Sequence, residues 1–194
     1  MPAHHFLRRQ ANWEELYFYK KTVVLYQLTF AFTKRFLKVG DRTVDQMVQA
    51  ARSGKQNIVE GFADGVSSTE MEIKLLNVAR ASIKELKEDY KDYLTARNIS
   101  KWDDRHPRFA TMLEYCRQHN NQEDYNDMYS KATDEELANL ALTLCRQVDK
   151  MMTTYLAQLE QTFIEEGGIK ERMTAARLGR RQTQNETIEA QAHE

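Results

Sequence analysis

Apolar residues recur at steps of three and four along most of this chain, the spacing of helices that bury one face. From Asn12 to about Leu37 the pattern predicts a first helix, opened by Asn12 with Glu15 at the capping-box position and stopped by Gly40. Two apolar stripes run along it. One is Leu16, Tyr19, Val23, Tyr26, Phe30 and Leu37; the other is Phe18, Leu25, Leu28, Phe32 and Phe36. A surface helix needs one stripe, so two predict burial on two sides. The second stripe is the expected contact with another subunit; the alternative is that it packs under the chain's own insertion.

Thr43 with Gln46 predicts the cap of a second helix, carrying Val44, Met47, Val48, Ala51, Ile58, Val59 and Phe62 and ended by Gly61 and Gly65. Caps at Ser67, Ser68 and Thr69 open a third helix running to about Arg97. Its expected inner face is Met71, Leu75, Val78, Ala79, Ser82, Leu86, Tyr90, Tyr93 and Leu94. Residues 98–132 are polar and interrupted by Pro107, with room for a short helix near Phe109–Arg117. They read as an insertion at one end of a bundle, being too long for a simple connection. Thr133 and Glu136 form a capping box before a fourth helix. Its seam is Leu137, Leu140, Leu144, Val148, Met151, Tyr155, Leu159 and Phe163, and Gly167-Gly168 ends it. The expected fold is all-α: an antiparallel up-down four-helix bundle over 12–166, flanked by a tail at 1–11 and a flexible polar tail at 167–194, with at most a short helix to Arg177.

Composition supports long helices, because two prolines and seven glycines in 194 residues leave few breakers. The formal net charge is −1, so no global basic field draws nucleic acid to the chain. Local clusters exist. Arg52 and Lys55 lie three apart on the second helix, and Lys170, Arg172, Arg177, Arg180 and Arg181 stand against a single acid, Glu171. These are the candidate contacts to RNA or DNA. The longest apolar run, Thr22 to Phe32, is too short to span a membrane, and the opening residues lack the apolar core of a secretion signal. With only Cys116 and Cys145 present, a cytoplasmic chain with reduced thiols is expected.

The run from Ala51 to Leu94 resembles the four-helix-bundle family of 23S rRNA intervening-sequence proteins, which also contains the accessory protein of diversity-generating retroelements. The likeness rests on Ser53, Asn57, Ile58, Glu60 and Gly61, then Ala79, Ser82, Glu85 and Leu86. Gly54, Lys55 and Val59 depart from the family's usual Ile, Pro and Ala. The resemblance extends over roughly 13–97 and 134–163. It implies a homo-oligomeric ring, typically a pentamer, without catalysis, with nucleic acid or a reverse transcriptase as partner. The strongly basic character of the retroelement member is missing here.

Enzymatic chemistry finds little footing. A di-iron bundle needs Glu-x-x-His pairs, and none occurs. Asp103 with His106, and Cys116 with His119, offer isolated spacings short of a zinc set. Gly61 to Gly65 lacks the Lys-Ser/Thr of a phosphate loop. Asn57 and Glu60 read either as ligand contacts or as structural groups, Glu60 accepting from the first amides of the third helix. The expectation is therefore a non-enzymatic homo-oligomeric scaffold that needs no cofactor, with RNA or DNA as candidate partner. The alternatives are a reverse-transcriptase accessory protein and a metal-binding helical enzyme.

Overall fold

The computed structural model describes residues 12–192, with side chains as far as residue 188. The segment 1–11, expected to be a tail, lies outside these residues. Among the described residues the regular elements are helices, and no strand occurs. They are α1 (Tyr17–Phe36), α2 (Arg42–Gly65), α3 (Thr69–Ala96), α4 (Phe109–Gln118), α5 (Asn126–Lys131), α6 (Asp134–Glu166) and α7 (Ile169–Ala192). The long helices close a cycle of seams: α1 packs on α2, α2 on α3, α3 on α6, and α6 on α1. One apolar core fills the middle.

Several helix ends follow from local chemistry. Thr133 accepts from the Glu136 amide at 3.2 Å and Glu136 reaches back to the Thr133 amide at 2.8 Å, the expected box. Ser68 accepts from the Met71 amide and opens α3. Gly167 closes α6 at φ 73°, a conformation that costs glycine nothing. Two caps differ from expectation. Asp41, not Thr43, caps α2, its carboxylate accepting from the Thr43 amide at 2.9 Å. Asn12 makes no cap; a 3-10 turn spans Trp13–Glu15, Leu16 is extended, and Glu15 pairs with Lys20 at 2.7 Å instead. Trp13 packs edge-on against Tyr19 at this entry to α1, with ring centroids 4.8 Å apart.

Gly61 does not end α2, which continues to Gly65. Gly54 and Gly61 face α3, where an added Cβ would lie 2.7 Å from Ile83 Cδ1 and 3.3 Å from Leu75 Cβ. The missing side chains let the two helices approach closely, which is why glycine sits inside a helix at a cost of about 1 kcal/mol each. The inner face of α3 is also turned at its start. Met71 and Val78, expected inside, are about half exposed, while Glu72, Leu76 and Ile83 are buried. Glu72 accepts from the Tyr155 hydroxyl at 3.0 Å, which holds that turn inward.

The stripe of α1 assigned to another subunit lies on this chain's own core. Leu25, Leu28 and Phe32 are 0% exposed, Phe18 is buried, and Phe36 is half-buried with its ring 5.3 Å from that of Phe32. The other stripe is the outer one: Tyr19, Val23 and Tyr26 are half-buried and Phe30 is 52% exposed. Threonines explain the difference. Thr22, Thr29 and Thr33 widen the buried side of α1 because their hydroxyls are satisfied there. Thr22 and Thr33 donate to carbonyls three residues back, and Thr29 accepts from buried Tyr90.

The segment between α3 and α6 is pinned at three points by polar groups. The Asn139 amide on α6 accepts from the Trp102 amide at 2.7 Å and donates to the Ser100 carbonyl at 3.0 Å. The Lys21 ammonium donates to the carbonyls of Cys116 and His119 at the end of α4. Arg35 donates to the Tyr129 and Ala132 carbonyls at the end of α5, at 2.7 and 2.9 Å. Cations at helix C-termini satisfy orphan carbonyls and complement the dipole. The alternative expectation, that α1 packs under the insertion, describes this side of the helix.

The expected polar tail after Gly168 is instead the continuous helix α7, rich in good helix formers and broken by no proline. It shares no packed seam with the other helices.

Truncating the two stripes of α1 separates their roles. Phe32→Ala is expected to cost about 3–5 kcal/mol in denaturant unfolding, and Phe30→Ala less than about 1 kcal/mol.

Candidate functional site

The motif residues lie on the α2–α3 seam. Asn57 donates to the Ser53 carbonyl at 2.9 Å and to its hydroxyl at 3.1 Å; the Ser53 and Ser82 hydroxyls are 3.0 Å apart. Ile58 is buried in the core. These polar groups satisfy one another across a close helix pair, a packing role. Glu60 and Glu85 are exposed. The anticipated hydrogen bond from Glu60 to the first amides of α3 is not formed; Ser68 serves that end.

The candidate basic residues fall into separate groups. Lys55 lies over the Tyr26 ring at 4.7 Å and Arg52 is exposed beside it on α2. Lys170, Arg177, Arg180 and Arg181 are exposed or nearly so along α7. Arg172 differs: its Nε and Nη2 are shielded from water and meet no acceptor.

Among the described residues, no three His, Cys, Asp or Glu side chains converge to hold a metal. Asp103 pairs with Arg105 at 2.7 Å, and His106 lies flat on Trp102 with ring centroids 4.2 Å apart. His119 donates its Nδ1–H to the Tyr115 carbonyl and stacks on that ring. Burial pushes the Cys116 thiol up to about 11 and the Cys145 thiol up to about 12. Neither supplies a thiolate near neutral pH.

Two cavities border the inserted segment. The first, about 380 Å³, is apolar, lined by Trp102, Met112, Tyr115, Met128, Leu137 and Leu140. Its charged groups, Arg108 and Glu136, already pair with each other. The second is of a different kind. It measures about 580 Å³, lies between α1, α4 and α6, and is lined by four cations: Lys21, Arg117, Arg146 and Lys150. No carboxylate is among its described lining residues. Asp149, beside two of these cations in sequence, turns away to Arg80 on α3 at 3.0 Å. Arg117 meets only Glu114, at 3.6 Å and largely in water, a contact worth little. Gln147 lines the cavity with both amide atoms shielded from water and unpartnered. Tyr17 and Phe109 add aromatic surface. Burial lowers the Lys21 ammonium's pKa, while the field of Asp124 acts the other way.

Sequence reasoning missed this cavity. One signal was available: Thr143, Arg146, Gln147 and Lys150 form an i, i+3, i+4, i+7 polar stripe on a helix otherwise read for its apolar seam. Its like charges at i, i+4 cost a few tenths of a kcal/mol unless something anionic uses them. Lys21 and Arg117 join only through the fold.

Set against known proteins, the chain matches no family model, no curated protein and no solved structure. The resemblance of residues 51–94 therefore stands on its own residues.

The buried thiols are expected to resist iodoacetamide in the native protein at about pH 8 and to react within minutes once unfolded. Rapid native labelling of either cysteine by mass spectrometry contradicts their placement.

Proposed function

We propose that this protein is a non-enzymatic, antiparallel up-down four-helix-bundle scaffold that binds the phosphate backbone of RNA or DNA through α7. The closed cycle of seams among α1, α2, α3 and α6 supports the bundle reading. One observation carries the binding: Lys170, Arg177 and Arg181 are exposed at positions i, i+7 and i+11 of α7 and so share one face, with Arg180 beside it. Phosphates along a strand can meet these cations in turn. The proposed setting is the cytoplasm, and the family resemblance adds a reverse transcriptase as a candidate protein partner.

Self-association is the second reading. It is favoured by α7 itself, which carries exposed Met173 and Leu178 without a packed seam, next to exposed Ile164 at the end of α6. An oligomer formed there, a pentamer by resemblance, repeats the weak phosphate contacts and gains avidity.

A labelled single-stranded RNA is expected to bind at low salt and weaken steeply between about 50 and about 200 mM. Replacing Arg177, Arg180 and Arg181 by Gln reduces the slope of log affinity against log salt by about 2. No binding at low salt, or an unchanged slope, overturns the nucleic-acid reading. Light scattering reads the second proposal: the full chain is expected to exceed its monomer mass of 22.8 kDa, and Met173→Glu with Leu178→Glu to return it to that mass.

A further inference from the structure

Short helices need tertiary support, and α4 receives little of it. Its 10 residues are too few to hold a helix in water by themselves. It carries apolar Phe109, Met112, Leu113 and Tyr115, yet Cys116 is its one fully buried residue, and α5 has none among the described residues. Lys21 and Arg35 hold the carbonyls at the ends of the two helices and leave their sides unsupported. Those sides face the apolar cavity of about 380 Å³. Met112, Tyr115 and Met128 stand half-buried there, across from buried Leu137 and Leu140 of α6. The polar groups around the cavity are already engaged. The Trp102 indole N–H donates to Glu135 at 2.6 Å and the Tyr115 hydroxyl to the Asp124 carbonyl. Arg108 pairs with Glu136, which also closes the Thr133 cap. A charge brought against this lining finds no new partner, so the lining selects uncharged apolar matter. Met112 and Met128 refine the choice, because a thioether packs favourably against an aromatic ring and adapts to its shape.

We propose that this cavity binds a small uncharged aromatic molecule, seated between Met112 and Met128 and against Leu137 and Leu140. The volume lies within the range of small-ligand sites. The buried ring gives α4 and α5 apolar contact that helices of their length cannot supply alone, so binding stabilises residues 109–131 locally. Walls from three helices make the site concave, which suits a free molecule better than a flat protein surface. The proposal goes beyond the scaffold reading and uses no residue of α7; failure of RNA binding leaves it standing.

Trp13 and Trp102 are the only tryptophans of the chain, so Trp13→Phe leaves Trp102, on the cavity wall, as sole reporter. Toluene titrated into that full-length variant is expected to shift the Trp102 emission saturably. Benzoate, the charged analogue, is expected to bind about ten-fold or more weaker. Methylcyclohexane, the saturated analogue, is expected to bind about three-fold weaker, because it forfeits the thioether–ring contacts. Ala132→Leu narrows the cavity and is expected to weaken toluene about ten-fold, with the unfolding midpoint no lower. Amide hydrogen exchange in α4 should slow when toluene is present. No saturable shift overturns the proposal, as does binding indifferent to Ala132→Leu or equal affinity for toluene and either analogue. A fall in the native mass on adding toluene also overturns it, since the cavity then holds a side chain of a second copy.

Discussion

The last carbonyls of a short helix must find donors, and in this chain they find them on α1. Lys21 reaches the end of α4 and Arg35 the end of α5, fourteen positions and about four turns apart on one helix. Asn139 secures the beginning of the same segment on α6. These contacts turn residues 98–132 from a loose excursion into a wall over α1. Lys21 becomes 3% exposed as a result, and its desolvated ammonium is held in place by two carbonyls. Without that wall neither bordering cavity has a second side.

The α2–α3 seam works differently. Gly54 and Gly61 remove side-chain bulk, and Ser53, Asn57 and Ser82 satisfy each other in the space that remains. Close backbone approach and a self-contained polar network account for Ser53, Asn57, Gly61 and Ser82 among the residues that carry the family resemblance, whereas Glu60 and Glu85 stay exposed.

Cationic groups concentrate elsewhere, though the whole chain carries almost no net charge. On α7, Lys170, Arg177 and Arg181 share one exposed face, and Arg172 lies on the opposite side. In the cavity beside α4, four cations come together from three helices on a single volume.

Much of the helical order was legible from spacing alone. The Thr133–Glu136 box, the Gly167 stop and the α6 seam are local features, set by residues within a few positions of each other. The polarity of the two α1 stripes was not, because both are apolar and nothing local says which neighbour is larger. Satisfied threonines joined the buried side, and the stripe of Phe18, Leu25, Leu28 and Phe32 went to the core. Likewise Lys21, Arg35 and Asn139 look like ordinary solvated residues until distant carbonyls arrive to meet them. Periodicity determines which residues can share a face; only tertiary packing decides what that face meets, since a hydrogen bond or a cavity wall is made by groups that sequence separation does not bring together.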